Sequence, residues 1–228
     1  MIKIRILLEN TCVEQGIVCR HGLSMYVETP AHKVLFDVGP DDAFLKNALL
    51  LSADISSVDT AVLSHGHYDH GGGLETFFRV NDAAPLYLRR AAMEPHYSVA
   101  AGKTPRDIGL SPALEQYRER LRFTEAAQRI DQELLLFSEA GPSPVPISAN
   151  QRLKEGDTYP QDDFRHEQHL LVTSGGKAVL LAGCAHSGVI PIMERCVELL
   201  GRAPDVVLGG FHLYSPGSGE TEPAERVR

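Results

Sequence analysis

Three histidines and an aspartate fall within six residues of this 228-residue chain, as His65, His67, Asp69 and His70 in the pattern His-x-His-x-Asp-His. Imidazole nitrogen and carboxylate oxygen are the donors that hold a zinc-type cation at about 2.0–2.2 Å. Donors so close in sequence converge only on a loop, because one flat strand or helix sends some of them away from the rest. Gly66 lets the backbone turn between His65 and His67, and Gly71-Gly72-Gly73 closes the cluster. His65 and His67 can then share one ion while Asp69 and His70 face a second, about 3.5–4 Å away, the separation of two-metal hydrolytic sites. Two divalent ions are the expected cofactors, zinc first, with manganese or iron as the other choices.

More donors lie downstream. His186, in Gly183-Cys184-Ala185-His186-Ser187-Gly188, and His212, in Gly209-Gly210-Phe211-His212, each follow an apolar run, and both are expected ligands. Cys184 offers a thiolate to the second ion, the alternative being a small buried residue. Asp37 ends an apolar stretch and is placed to hold the ligand loop by hydrogen bonds. His67 and Asp69 carry the catalytic assignment, with Asp69 orienting the nucleophile. Lys103 and Arg106 are cations available to a substrate phosphate or carboxylate, and His21, beside Gly22, reaches towards the same pocket. The expected partner is thus a small anionic molecule. His166 and His169 are weaker candidates, and His32 and His96 are read as non-ligands.

These residues need elements to present them. Residues 2–8 alternate like an edge strand; Ser24–Glu28 and His32–Asp37 read as two more. Asp41–Leu51 has helical spacing, Thr60–Leu63 is a buried strand, and Leu74–Phe78 opens another helix. The ligand loop therefore follows the carboxyl end of a strand, a favoured ligand position in layered α/β folds. After a short strand at Pro85–Leu88, residues 93–111 lack periodicity and read as a lid or binding loop. Ser111-Pro112 caps a helix over 111–120, and 121–139 suits helix or strand. Gly141–Pro146 is a rigid connection. Residues 169–173 and 177–181 make a hairpin, Val189–Leu200 an amphipathic helix stopped by Gly201, and Asp205–Leu208 a buried strand. From Ser215 onward the chain is polar and rich in Pro and Gly.

Composition narrows the class. Hydrophobic content of 43% and 23% charged residues describe an ordinary globule, and no apolar run reaches the roughly 20 residues of a membrane span. The amino-terminal residues lack a secretory leader's apolar core, so a cytoplasmic protein is expected. A formal charge of −8 opposes nucleic-acid binding. The four cysteines, Cys12, Cys19, Cys184 and Cys196, form no Cys-x-x-Cys pair, and reduced thiols are the default. Oligomeric state is not legible.

Ser64-His65-Gly66-His67-Tyr68-Asp69-His70 resembles the signature of the metallo-β-lactamase superfamily. Glu9-Asn10-Thr11, His21-Gly22-Leu23-Ser24, Leu35–Gly39, Gly183–Gly188 and Gly209–Leu213 extend the likeness to its dihydropterin–ribofuranosylaminobenzene 5′-phosphate synthase-like branch. The resemblance implies an α/β (α+β) fold, a four-layer αββα sandwich of two αβ halves with the metal site at one edge. It also implies a single domain over 1–228, with truncation at the C-terminal end left open because the branch's closing His-Cys-Thr-Gly motif is not found before Arg228. The superfamily's usual third histidine is missing from Asp162–His169, so His186 takes its place. The implied activity is metal-dependent hydrolysis of an ester or phosphoester-type small molecule by a metal-activated hydroxide. The rival readings are a transferase of the synthase type and a non-catalytic metal-binding or redox module.

Overall fold

The computed structural model describes residues 1–12, 14–100, 102–138 and 151–211. β1 (Lys3–Leu8) pairs antiparallel with β2 (Ser24–Glu28), and β2 with β3 (Lys33–Phe36). Helix α1 (Ala43–Leu50) buries Phe44 and Ala48, and the chain returns through β4 (Thr60–Val62), parallel to β3. The one-turn helix α2 (Tyr68–Gly71) and α3 (Leu74–Val80) lead into β5 (Leu86–Arg89), parallel to β4. A hairpin of β6 (His96–Ser98) and β7 (Arg106–Asp107) follows, and β8 (Leu121–Thr124) then joins β5. The resulting sheet has the order β1-β2-β3-β4-β5-β8.

The second half contributes β9 (Ala127–Arg129), β10 (Leu134–Phe137), β11 (Gln151–Leu153), β12 (His169–Ser174) and β13 (Lys177–Leu181). It closes with α4 (Val189–Leu200) and β14 (Val206–Leu208). Five of these strands form a sheet ordered β14-β13-β12-β10-β9, while β11 pairs with β6 in a small third sheet. Alternation along the strands sorts the apolar residues into layers. Val27, Phe36 and Val62 of the first sheet meet Leu136, Leu170, Val172 and Leu181 of the second in one buried cluster. Leu35, Leu86 and Leu88 face outward onto Phe44 and Phe77 of the helices. Leu171 and Leu180 face outward onto Ile192 and Cys196 of α4. That is the α-β-β-α stacking expected, and each fully buried Phe or Leu contributes roughly 1.5–3 kcal/mol of transfer free energy.

Several expectations need correcting. The segment 93–111 carries two short paired strands, β6 and β7, which its lack of periodicity did not announce. Residues 112–120 wind as 3₁₀ turns, although Ser111 caps them by accepting the Ala113 N–H. In the ambiguous stretch, Leu121–Thr124, Ala127–Arg129 and Leu134–Phe137 are strands, because parallel pairing with β5 and antiparallel pairing with β12 outweigh helix propensity. Cys12 and Cys19 are not free thiols. The Arg20 N–H bonds to the Glu9 carbonyl, the loop folds back, and the two cysteines form a disulfide with Cα atoms 5.6 Å apart. The Gly141–Pro146 connection, the tail from Ser215 and His212 lie outside the described residues. Among the described residues no helix is long and apolar enough to cross a membrane.

Candidate metal centre

The ligand loop starts where β4 ends. After Leu63 the chain turns outward, and Asp37, one residue past β3, pins it. The Asp37 carboxylate accepts the Ser64 N–H at 2.7 Å and the Ser64 hydroxyl at 2.7 Å, and its Oδ2 meets His70 Nδ1 at 2.6 Å. Asp37 does this with φ of 57°, a left-handed conformation that Asp tolerates better than most residues. The Ser64 hydroxyl also meets His65 Nδ1 at 2.8 Å, which leaves His65 Nε2 facing inward. Asp37 therefore stands behind His70, which it meets directly, and behind His65, which it meets through the Ser64 hydroxyl.

The second ligand loop follows β13. Gly183 is required there, since a Cβ would stand 2.2 Å from the Ser64 hydroxyl. This close approach lets His186 Nε2 come within 3.3 Å of His65 Nε2. The rings of His65, His67 and His186 lie 4.5–4.9 Å apart between centroids. Their ring nitrogens form one group whose members all lie within 4.8 Å of one another; His65, His70 and Cys184 form another. Cys184 Sγ is 3.0 Å from His70 Nε2.

Whether these residues suit a cation can be judged from the donors. His67 Nε2 is buried with no hydrogen-bond partner, a costly condition that a bound ion or a new donor relieves. Burial, reinforced by the neighbouring imidazoles, holds His65 and His67 well below the ordinary histidine range, so both rings present neutral lone pairs. Burial opposes charge on His70 too, yet the facing Cys184 sulfur and the Asp37 carboxylate together hold its imidazolium well above that range. Burial pushes the Cys184 thiol up against the pull of His70. The neutral imidazoles of His65 and His67, with His186 beside them, are a fitting set for a zinc-type ion, and His70 with Cys184 would join a second ion once the His70 ring gives up its Nε2 proton.

Asp69 belongs to neither close group. Its Oδ2 stands 3.8 Å from His70 Nε2 and 3.3 Å from His21 Nε2. It lines a cavity of about 90 Å³ together with His21, His67, Tyr68, Ser98, Arg106, Ile108 and His186. Both Arg106 and Lys103 are exposed, but Arg106 lines this cavity beside the Tyr68 ring, 5.7 Å from its centroid, whereas Lys103 is not part of the lining.

The family model of the metallo-beta-lactamase superfamily matches residues 17–218. The chain belongs to the metallo-beta-lactamase superfamily. A relative from Methanocaldococcus jannaschii, an uncharacterized protein, is 30% identical over 222 residues, covering 92% of this chain and 79% of its own length. A 7,8-dihydropterin-6-methyl-4-(beta-D-ribofuranosyl)-aminobenzene-5'-phosphate synthase from the same organism is 26% identical, covering 85% of this chain and 71% of that one. The crystal structure of a metal-dependent hydrolase of the beta-lactamase superfamily superposes with a TM-score of 0.77 at 28% identity, over 96% of this chain and 79% of that one.

Residues 162–168 hold more of the surroundings of the centre than the weak candidacy of His166 suggests. Asp162, His166 and Glu167 are buried beside the ligand loops, and so is His96, which the sequence had set aside. Their ring contacts with His67 run to 5.1 Å for His166 and 5.5 Å for His96. Only the acidic and histidine-rich composition of Asp162–His169 hinted at them.

Proposed function

We propose that this chain is a metal-dependent hydrolase acting on a small anionic ester or phosphoester. The observation that carries the reading is the convergence of His65, His67 and His186, two of which, His67 and His186, line a cavity that also presents Asp69 and Arg106. In this reading His65, His67 and His186 hold one divalent ion, and Asp69, His70 and Cys184 hold the second, with His212 a further candidate. The ions, when bound, lower the pKa of water towards 7 and polarise the oxygen of the scissile bond.

The remaining work falls to side chains of the cavity. Arg106 offers a guanidinium fork to the substrate's phosphate or carboxylate, with the Tyr68 ring beside it. Ser98 gives the same group a hydroxyl donor. Asp69 Oδ2 takes the proton of the attacking water, and His21 Nε2, 3.3 Å away on a side chain 69% exposed, relays it to solvent. Ile108 and the β6–β7 hairpin cover one side and limit water entry.

Zinc content of the purified protein by elemental analysis, followed by assay of carboxylic esters, thioesters and phosphodiesters, tests the reading. Metal uptake with turnover of one class supports it; metal uptake with turnover of none overturns it. The second reading, a transferase of the synthase type, is favoured by the 26% identical relative. Product formation from a dihydropterin donor and a ribofuranosylaminobenzene phosphate acceptor, without hydrolysis, would select it.

A further inference from the structure

Seven residues, Asp162–Gln168, reach both ligand loops from one side. Glu167 is buried, and its carboxylate spends both oxygens on the second loop. It accepts the His186 N–H at 2.7 Å, the Ser187 N–H at 2.9 Å and the Ser187 hydroxyl at 2.6 Å. On one flank, His166 Nδ1 accepts the Gly66 N–H at 2.9 Å, gripping the peptide between His65 and His67. On the other, the Gln168 N–H donates to the Ser64 carbonyl at 2.7 Å, and its side-chain amide donates to the Leu63 carbonyl at 2.8 Å. Three consecutive residues thus hold, in turn, the first loop, the second loop and the first loop again.

Asp162 anchors the near end. Its Oδ1 accepts the Phe164 N–H at 2.8 Å, and its Oδ2 lies 3.3 Å from His166 Nε2 and 3.2 Å from His96 Nδ1. His96 turns its other nitrogen to the Ala91 carbonyl at 3.2 Å, so both of its nitrogens face oxygen acceptors. His166 is held through Nδ1 by the Gly66 N–H, while its Nε2, 3.3 Å from Asp162 Oδ2, is buried without a hydrogen-bond partner among the described residues. Both rings thus hold protein groups, and the nitrogens and carboxylate of His67, His96, Asp162 and His166 lie within 4.8 Å of one another.

The second loop needs holding. Ala185 has φ of 54°, a conformation that costs a non-glycine residue of order 1 kcal/mol or more and persists only where its surroundings over-determine it. The three bonds to Glu167 fall on the two residues directly after it.

We propose that Asp162–Gln168 is a brace that sets the two ligand loops at their working distance, with Glu167 as the positioning residue for His186 and His166 as the positioning residue for the Gly66 peptide. This rests on the reading of His65, His67 and His186 as ligands. The brace acts on peptide groups adjoining those ligands, so its loss changes how tightly an ion is held before it changes how many are held.

The test is titration of Zn²⁺ into the chelator-stripped full chain, against a chromophoric competitor, for wild type, Glu167→Ala, Glu167→Gln and Asp162→Asn. Glu167→Ala is expected to weaken zinc binding about 10–100-fold at unchanged saturating stoichiometry. Glu167→Gln, which keeps an acceptor oxygen, is expected to fall between it and wild type, and serves alone if Glu167→Ala does not fold. Unchanged zinc affinity in both Glu167 variants, with only the unfolding midpoint of the metal-free form lowered, would make Glu167 a fold residue and overturn the proposal. Loss of one whole zinc equivalent in Asp162→Asn would make the His96–Asp162–His166 cluster a cation site itself and overturn its role as an anchor. A wild-type chain that takes up no zinc would remove the metal reading, and the brace with it. Zinc uptake without hydrolysis would remove only the proposed activity.

Discussion

His65 Nε2 and His186 Nε2 stand 3.3 Å apart although 121 residues of chain separate them. The two nitrogens sit on loops that leave different sheets, one after β4 and one after β13. Their meeting assembles the centre from both halves of the molecule.

His67→Ala is expected to abolish activity and remove metal while leaving the fold in place. The imidazole is buried, but its Nε2 has no hydrogen-bond partner among the described residues, so its loss opens a small cavity without stranding one of them. Elemental analysis should show at least one ion per chain lost, with the far-ultraviolet circular dichroism of wild type. Full metal content in the variant would refute the ligand assignment.

Asp37→Ala strands the Ser64 N–H and leaves the His70 ring without its carboxylate. Breaking a buried ion pair by removing one partner costs about 3–5 kcal/mol, so the denaturant midpoint should fall sharply. Zinc affinity should fall by about 10–100-fold as well. A variant that loses stability and keeps its affinity would show that Asp37 supports the fold alone.

Arg106→Ala is expected to raise KM by roughly tenfold or more, the value of one charge-assisted hydrogen bond of about 1.5–3 kcal/mol, with kcat little changed. Lys103→Ala should change neither, since Lys103 is not part of the cavity wall. Steady-state kinetics on whichever anionic substrate is turned over will separate the two cations.

His169 gives the protein an acid sensitivity. Both of its ring nitrogens are buried without partners, its ring packs 5.3 Å from Phe137, and burial pushes its pKa down to about 3. The unfolded chain binds a proton near pH 6.5, so nothing changes above that pH. Below it, stability falls by about 1.4 kcal/mol per pH unit until the folded value is reached. Between pH 7 and pH 5, His169→Leu should therefore lose about 2 kcal/mol less than wild type in urea denaturation of the metal-free form. Equal losses would mean that His169 has a proton partner.

Reduction of Cys12–Cys19 should lower stability modestly. A cross-link spanning a separation of 7 residues removes about 2.5 kcal/mol of chain entropy from the unfolded state. Cys12→Ser with Cys19→Ser should reproduce the effect of a reducing agent and abolish any further response to it.

The His-x-His-x-Asp-His cluster was legible because its spacing states the chemistry locally: loop, donors and glycines adjoin in sequence. The strands around it were legible for the same reason, since Val34–Phe36 and Leu170–Val172 are apolar runs with few alternatives. β8 and β9 were not. Their exposed, polar positions resemble a helix surface, and only pairing with β5 and β10 makes them strands. His96 was hidden by a different cause. It is a single histidine without a repeating neighbour, and its meaning comes from which loop folds onto which. Cys12 and Cys19 lack a metal-type spacing, and it takes the Arg20–Glu9 backbone bond to bring them together.

The two large sheets are also separate in time. All six strands of the first are complete at Thr124, before β9 begins at Ala127. A growing polypeptide can therefore finish one half, with His65, His67, Asp69 and His70 in place, while His186 has not yet been synthesised. Ion capture at full strength has to wait for the late half to dock, so the ion's binding free energy is delivered at the last folding step and becomes folding free energy. Loading with metal should then mark finished molecules, and a half-made chain should hold an ion more weakly than the complete one.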